Sequence, residues 1–101
     1  LPPHASKGDT HSWHLYIVQL IDDAPLTRDA FITRLQEAAI ATSVHYRPLH
    51  QMTYWKPMAE GRAFPAADLY FTRCVSLPIF MTMTDDEQTR VIEVVREALG
   101  V

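Results

Sequence analysis

Trp13-His-Leu-Tyr-Ile-Val-Gln-Leu-Ile21 is the stretch on which the fold turns. It is rich in aromatic and β-branched residues, which favour extended backbone. Its alternate residues form two sets, Trp13, Leu15, Ile17 and His14, Tyr16, Val18, Leu20. Both sets are largely apolar. A strand with one face in water alternates apolar and polar residues, so this strand is expected to be covered on both faces.

Reading outward, Asp22-Asp-Ala-Pro25 is a turn. Thr27 is placed to N-cap a helix from Arg28 to about Ala38, with Asp29 in the first turn. Phe31, Ile32, Leu35, Ala38 and Ala39 share one face at helical spacing. Ala41 to Tyr46 is short, β-branched and alternating, and is expected to be a second strand. Arg47 to Phe64, with its two prolines, three aromatic residues and two methionines, has no period. A loop of about 18 residues is long for a compact domain, and such loops are often functional. Pro65 suits the first turn of a helix ending near Arg73. Cys74-Val-Ser-Leu77 is a third strand, stopped by Pro78. Thr84-Asp-Asp-Glu87 is a capping box opening a last helix to about Leu99, with Val91, Ile92, Val95, Ala98 and Leu99 on its core face and Gly100 as its stop. Upstream, residues 1–12 hold two prolines, a glycine and small polar residues, and read as a linker. The order β-α-β-loop-α-β-α makes a small α/β domain.

The 101 residues suffice for one domain, and 48% hydrophobic with 21% charged residues is globular composition. Nine Lys and Arg against twelve Asp and Glu give a net charge of −3, without the basic surplus of a nucleic-acid binder. The single cysteine, Cys74, excludes an internal disulfide and a cysteine-rich zinc site. No apolar run approaches the roughly 18 residues of a membrane span. The chain begins Leu-Pro-Pro without a methionine, and is expected to be a piece of something longer.

Among groups able to do chemistry, His45 and His50 flank Arg47-Pro48. Two imidazoles around a proline turn can ligate a metal, transfer a proton, or grip an anion together with Arg47. Without a His-x-x-x-His pair or nearby carboxylates, the metal reading lacks further ligands. The plain reading makes His45 a hydrogen-bonded strand residue and His50 a solvated one. Cys74 reads as a buried, inert thiol, Tyr54-Trp55 as loop packing ahead of an exposed patch, and Asp85-Asp-Glu87 as helix capping. Gly8, Gly61 and Gly100 form no phosphate-cradling loop.

A resemblance adds to this. Ser12-Trp-His-Leu-Tyr16, Arg28-Asp-Ala-Phe-Ile-Thr-Arg-Leu35, Thr42-Ser-Val-His-Tyr-Arg-Pro-Leu-His50, Val75-Ser-Leu-Pro78 and Thr84-Asp-Asp-Glu87 occur in this order. Together they resemble the C-terminal small domain of the DegT/DnrJ/EryC1/StrS family of pyridoxal-phosphate (PLP) aminotransferases, which mostly act on nucleotide-linked sugars. The likeness runs from about residue 11 to 99, and the segment around His45 and His50 is its most specific part. One departure is Ala39-Ile-Ala41, where the family has Gly-Ile-Gly. The first of those glycines serves a left-handed helix end, so this turn is expected to be shaped differently.

The resemblance implies a fold-type-I small domain over residues 13–101, with a short, mostly antiparallel sheet covered by helices. It implies that a large domain, absent from this chain, binds PLP, and that the small domain closes over the substrate side of that pocket. The implied substrate-side residues are His45, Tyr46, Arg47, Pro48 and His50, with no catalytic, cofactor or metal residue in this chain. The implied partners are the large domain, a nucleotide-sugar substrate and, for the parent, a second copy, all in the cytoplasm. A non-catalytic regulatory relative and a free-standing binding module are the competing readings. Upstream sequence separates them: a lysine in a Ser/Thr-rich stretch with an Asp before it marks the enzyme. In a sheet without its neighbouring domain, the doubly apolar first strand is also expected to leave an apolar patch uncovered.

Lys7 and Lys56 are the only lysines. Neither lies in the kind of apolar setting that lowers a lysine pKa for imine formation. Incubating this chain with PLP and reducing with borohydride is therefore expected to give only weak, scattered labelling. A saturable, stoichiometric adduct at Lys56 would contradict that.

Overall fold

The computed structural model describes residues 2–101; Leu1, the first residue of the expected linker, lies outside the described residues. The elements are β1 (Tyr16–Gln19), α1 (Arg28–Glu37), α2 (Pro65–Arg73), β2 (Cys74–Leu77) and α3 (Asp85–Leu99), with 3₁₀ turns at Leu49–Gln51 and Lys56–Ala59. β1 and β2 pair antiparallel, Tyr16 opposite Leu77 and Gln19 opposite Cys74. The result is a small α/β unit with three helices around a two-stranded sheet. Among the described residues no helix is long and apolar enough to cross a membrane.

Each helix begins and ends where its local chemistry dictates. Thr27 is extended and its hydroxyl accepts the Ala30 N–H at 3.3 Å. Pro65 opens α2, where its missing N–H costs nothing. The capping box of α3 is fully formed: the Thr84 hydroxyl accepts the Glu87 N–H at 3.2 Å, and the Glu87 carboxylate accepts the Thr84 N–H at 2.8 Å. α3 ends on left-handed Gly100, with the Val101 N–H donating to the Arg96 carbonyl at 3.1 Å.

The core lies on one side of the sheet. Phe31 and Leu35, one helical turn apart on α1, are 0% exposed and pack with Leu20, Ile40 and Val75. Val91, Val94, Val95, Ala98 and Leu99 of α3 close over them. Arg34 and Glu97 pair at 2.6 Å across the two helices, and Arg90 donates to the Ala38 carbonyl at 2.8 Å. Such exposed ion pairs contribute at most about 1 kcal/mol each, so the packing of Phe31 and Leu35 dominates.

Four expectations are corrected. The strand expected over Trp13–Ile21 is confined to Tyr16–Gln19, because Trp13 has φ 48° and donates its N–H to His11 Nδ1 at 2.9 Å, which is incompatible with extended pairing. The strand expected over Ala41–Tyr46 is reduced to one bridge, Ser43 with Ser76. In an antiparallel ladder alternate residues turn their backbone groups to opposite sides. Residues 73, 75 and 77 serve β1, leaving 74, 76 and 78 for a strand on the far edge. The Cys74 N–H is taken by the Tyr70 carbonyl and Pro78 has no N–H, so only Ser76 remains to pair. Nor is the period-free stretch 47–64 wholly irregular: it contains both 3₁₀ turns.

The fourth correction concerns the end of α1. Ala39 adopts φ 59°, the left-handed conformation, despite its Cβ. The Ala39 N–H donates to the Gln36 carbonyl and the Ile40 N–H to the Leu35 carbonyl, each at 2.9 Å, which is a Schellman closure. Ile40 is buried beside Leu35, so its apolar contact holds alanine in a conformation suited to glycine. A left-handed alanine costs about 1–2 kcal/mol, of which the unfolded-state freedom of a glycine takes back about 0.4–1 kcal/mol. Ala39→Gly is thus expected to stabilise the protein by about 0.5–1 kcal/mol, seen as a higher urea midpoint at unchanged m-value. A lower midpoint would show that this helix end carries no strain.

Candidate functional site

The loop joining α1 to α2 is fastened at two places. At its start, Ser43 and Ser76 exchange backbone hydrogen bonds of 3.2 and 2.7 Å. Beside them, His45 Nδ1 hydrogen-bonds the Ser76 hydroxyl at 2.7 Å. The His45–Tyr46 peptide bond is cis. Further along, Pro48 precedes the 3₁₀ turn, with the Gln51 N–H on the Pro48 carbonyl at 3.0 Å. His50 from this turn stacks on Phe64, ring centroids 4.7 Å apart, and its Nε2 lies 2.7 Å from Asp68 Oδ1. Gln51 Nε2 donates to the same oxygen at 2.6 Å. The Arg62 guanidinium lies over the other partner of the stack, Phe64, at 5.4 Å.

These contacts divide the five expected residues by role. His45 is hydrogen-bonded, as the plain reading expects, but from a loop and not from a strand. His50 is not simply solvated: its side chain is mostly covered and bonded to Asp68. Pro48 is half-buried at the start of the turn. Of the five, Tyr46, 68% exposed, and Arg47, also exposed, are turned outward. The Gln51 hydrogen bond, and after it the His50 hydrogen bond, hold the Asp68 carboxyl below the usual carboxylate range, against a smaller opposing effect of desolvation.

Asp68, Gln51, Phe64 and Ser76 are the members that sequence reasoning missed. Asp68 lies 18 residues beyond His50 and is legible only as an acidic residue in a helical first turn. Ser76 carried a usable signal: a hydroxyl inside an apolar strand needs a partner, and at 4% exposure it has found one in His45.

Elsewhere, Cys74 is buried and burial pushes its thiol pKa up, away from nucleophile chemistry. Among the described residues no group of three His, Cys, Asp or Glu is placed to hold a metal. Tyr54 and Trp55 are exposed and meet edge to face at 5.1 Å, so they do not fill the loop interior. Pro48, Leu49, Trp55, Met58, Arg62 and Phe64 line an open cup of about 380 Å³. Exposed apolar groups gather there and at Ile79–Met81, as well as at Trp13 and Ile21 beside β1. Lys7 and Lys56 are both exposed, whereas an imine-forming lysine is desolvated to lower its pKa.

Residues 1–96 match the model of the DegT/DnrJ/EryC1/StrS aminotransferase family. The chain belongs to that family. It is 38% identical over 101 aligned positions to the spore coat polysaccharide biosynthesis protein SpsC of Bacillus subtilis, covering 96% of this chain and 26% of SpsC. The fold superposes on the aminotransferase TlmJ of Streptoalloteichus hindustanus with a TM-score of 0.84 at 27% identity, over 98% of this chain and 25% of that one. A Streptococcus pneumoniae protein described as a sugar aminotransferase, solved in its PLP-form, aligns with a TM-score of 0.75 at 30% identity, over 86% of this chain and 22% of its own. This member of the family thus spans about a quarter of the length of the relatives it matches. The Gly-to-Ala departure at residue 39 leaves the family fold intact, because the left-handed turn forms regardless.

The Asp68 hydrogen bonds give a pH dependence of known sign. Its folded pKa is lowered, so its contribution to stability is complete above the usual carboxylate value of about 4 and is lost as pH falls through the lower folded value. Asp68→Asn is expected to lower stability at pH 7 and to flatten the decline on acidification. Urea unfolding from pH 7 to pH 2.5 checks this; parallel curves for the two proteins would contradict it.

Proposed function

We propose that this chain is the C-terminal small domain of a PLP-dependent aminotransferase that aminates a nucleotide-linked keto sugar, for a polysaccharide, lipopolysaccharide or antibiotic sugar. Residues 1–12 act as the linker and 13–101 as the domain. The Schiff-base lysine and the rest of the PLP site belong to a large domain of the same polypeptide, which works as a cytoplasmic homodimer. When bound there, PLP supplies the electron sink for the reaction. This domain closes over the substrate side and is silent alone. The family match, and the sugar and polysaccharide relatives within it, support the reaction class.

The observation that carries the role of the loop is its two-point fastening, which leaves Tyr46 and Arg47 facing outward between anchored histidines. In this reading Arg47 takes phosphate oxygens, for which a guanidinium offers paired donors. The Tyr46 hydroxyl serves the sugar. His45, Pro48 and His50 set the shape of the wall. Excluding water there strengthens each of these contacts.

The test is made in the full-length enzyme with Arg47→Gln and Tyr46→Phe. Losing a hydrogen bond to a charged group costs about 1.5–3 kcal/mol, or roughly 10- to 150-fold in kcat/KM for the sugar nucleotide. Cofactor absorbance and melting temperature are expected to stay unchanged. Normal turnover in both variants would defeat the substrate-side assignment. An upstream sequence without the lysine would instead favour the regulatory relative.

A further inference from the structure

Past Ile40, the loop between α1 and α2 contributes nothing to the buried core, none of whose members lies between residues 41 and 64. Its orientation therefore owes little to core packing and rests mainly on its few fixed points. At the first, Ser43 and His45 meet Ser76. Beyond it, the 3₁₀ turn holds itself together only locally, through the Gln51 N–H to the Pro48 carbonyl and the Met52 N–H to the Leu49 carbonyl. Those bonds shape the turn without saying where it lies on the domain.

What locates it is Asp68. The adjacent residues His50 and Gln51 converge on a single carboxylate oxygen, at 2.7 and 2.6 Å. One oxygen has two lone pairs and can serve both donors. The turn cannot rotate about its axis without breaking one of them, and Phe64 blocks His50 from swinging sideways. The support is firm, because α2 runs directly into buried β2. It also suits a carboxylate, since Asp68 lies in the first turn of α2, where free N–H groups favour negative charge. An ionised carboxylate only accepts, so a neutral His50 must carry its proton on Nε2 and keep Nδ1 as an acceptor.

We infer that Asp68 is a positioning residue, which through His50 and Gln51 sets the direction in which the loop presents Tyr46 and Arg47. This rests on the reading of that loop as the substrate wall. Asp68 itself touches no substrate in this arrangement; it acts only through the turn it holds.

The experiment uses the full-length enzyme with Asp68→Ala, its conservative counterpart Asp68→Glu, and Arg47→Gln alone and combined with Asp68→Ala. Hydrogen exchange of residues 49–56 reads the loop. Steady-state kinetics with the sugar nucleotide read its consequence. Asp68→Ala is expected to speed exchange of the Gln51 and Met52 amides about tenfold or more, the effect of losing a charge-assisted anchor. The kinetic loss is expected mainly as a higher KM for the sugar nucleotide, about tenfold, with cofactor absorbance kept. Asp68→Glu is expected to recover part of both. Adding Arg47→Gln to Asp68→Ala is expected to cost less than it does alone, because the two act through one contact. Unchanged exchange, with Arg47→Gln still impaired, would overturn the positioning role and leave the substrate-side reading standing. Faster exchange with normal turnover in every variant would overturn the substrate-side reading and the positioning role with it.

Discussion

Ser76 is where this structure is joined together. It lies in the middle of β2, 4% exposed, opposite Ile17 of β1. Its backbone turns away from β1 and closes both bonds of the bridge to Ser43, while its hydroxyl binds His45. A buried polar side chain without a partner would cost about 1–3 kcal/mol, so serine at this position demands that something polar arrive from the loop. His45 is what arrives. The same residue that completes the sheet thus fixes the first point of the loop, and a sheet of only two strands is enough to organise the long connection beside it.

The domain separates two tasks that often compete. Stability comes from Phe31, Leu35, Ile40 and Val75 with α3 folded over them, and none of these residues lies in the loop beyond Ile40. The loop is held instead by polar contacts, with His45 on Ser76 and His50 with Gln51 on Asp68. Directional contacts of this kind set geometry more than they add stability, which suits the proposed role of presenting Tyr46 and Arg47 in one orientation. Such a division lets the loop vary while the family fold persists. That agrees with superposition on TlmJ at 27% identity.

The local signals in the sequence were strong because they rest on chemistry between near neighbours. Thr27, Pro65, the Thr84–Glu87 box and Gly100 each act within a helical turn, and all three helices lie where these residues put them. The run Val75-Ser-Leu77 before a proline also marked β2 correctly. The order of these segments, with Ser43-Val-His-Tyr46 and Pro48-Leu-His50 among them, was sufficient to name the family.

Decisions that depend on distant partners were beyond local reading. Ala41–Tyr46 has a strand's composition, yet pairs once, because the Tyr70 carbonyl already holds the Cys74 N–H and Pro78 has none to give. Ala39 takes a left-handed conformation because Ile40 is buried beside Leu35, an apolar contact that outweighs the preference of alanine. The two histidines looked alike as candidates flanking Arg47, and only the approach of β2 and α2 made each an anchor and left Arg47 outside. The sequence by itself determined the helices, their caps and the family, since those depend on residues within a few positions of one another. The tertiary structure alone decided which loop side chains are held and which are offered, because Ser76 and Asp68 come to them from far along the chain.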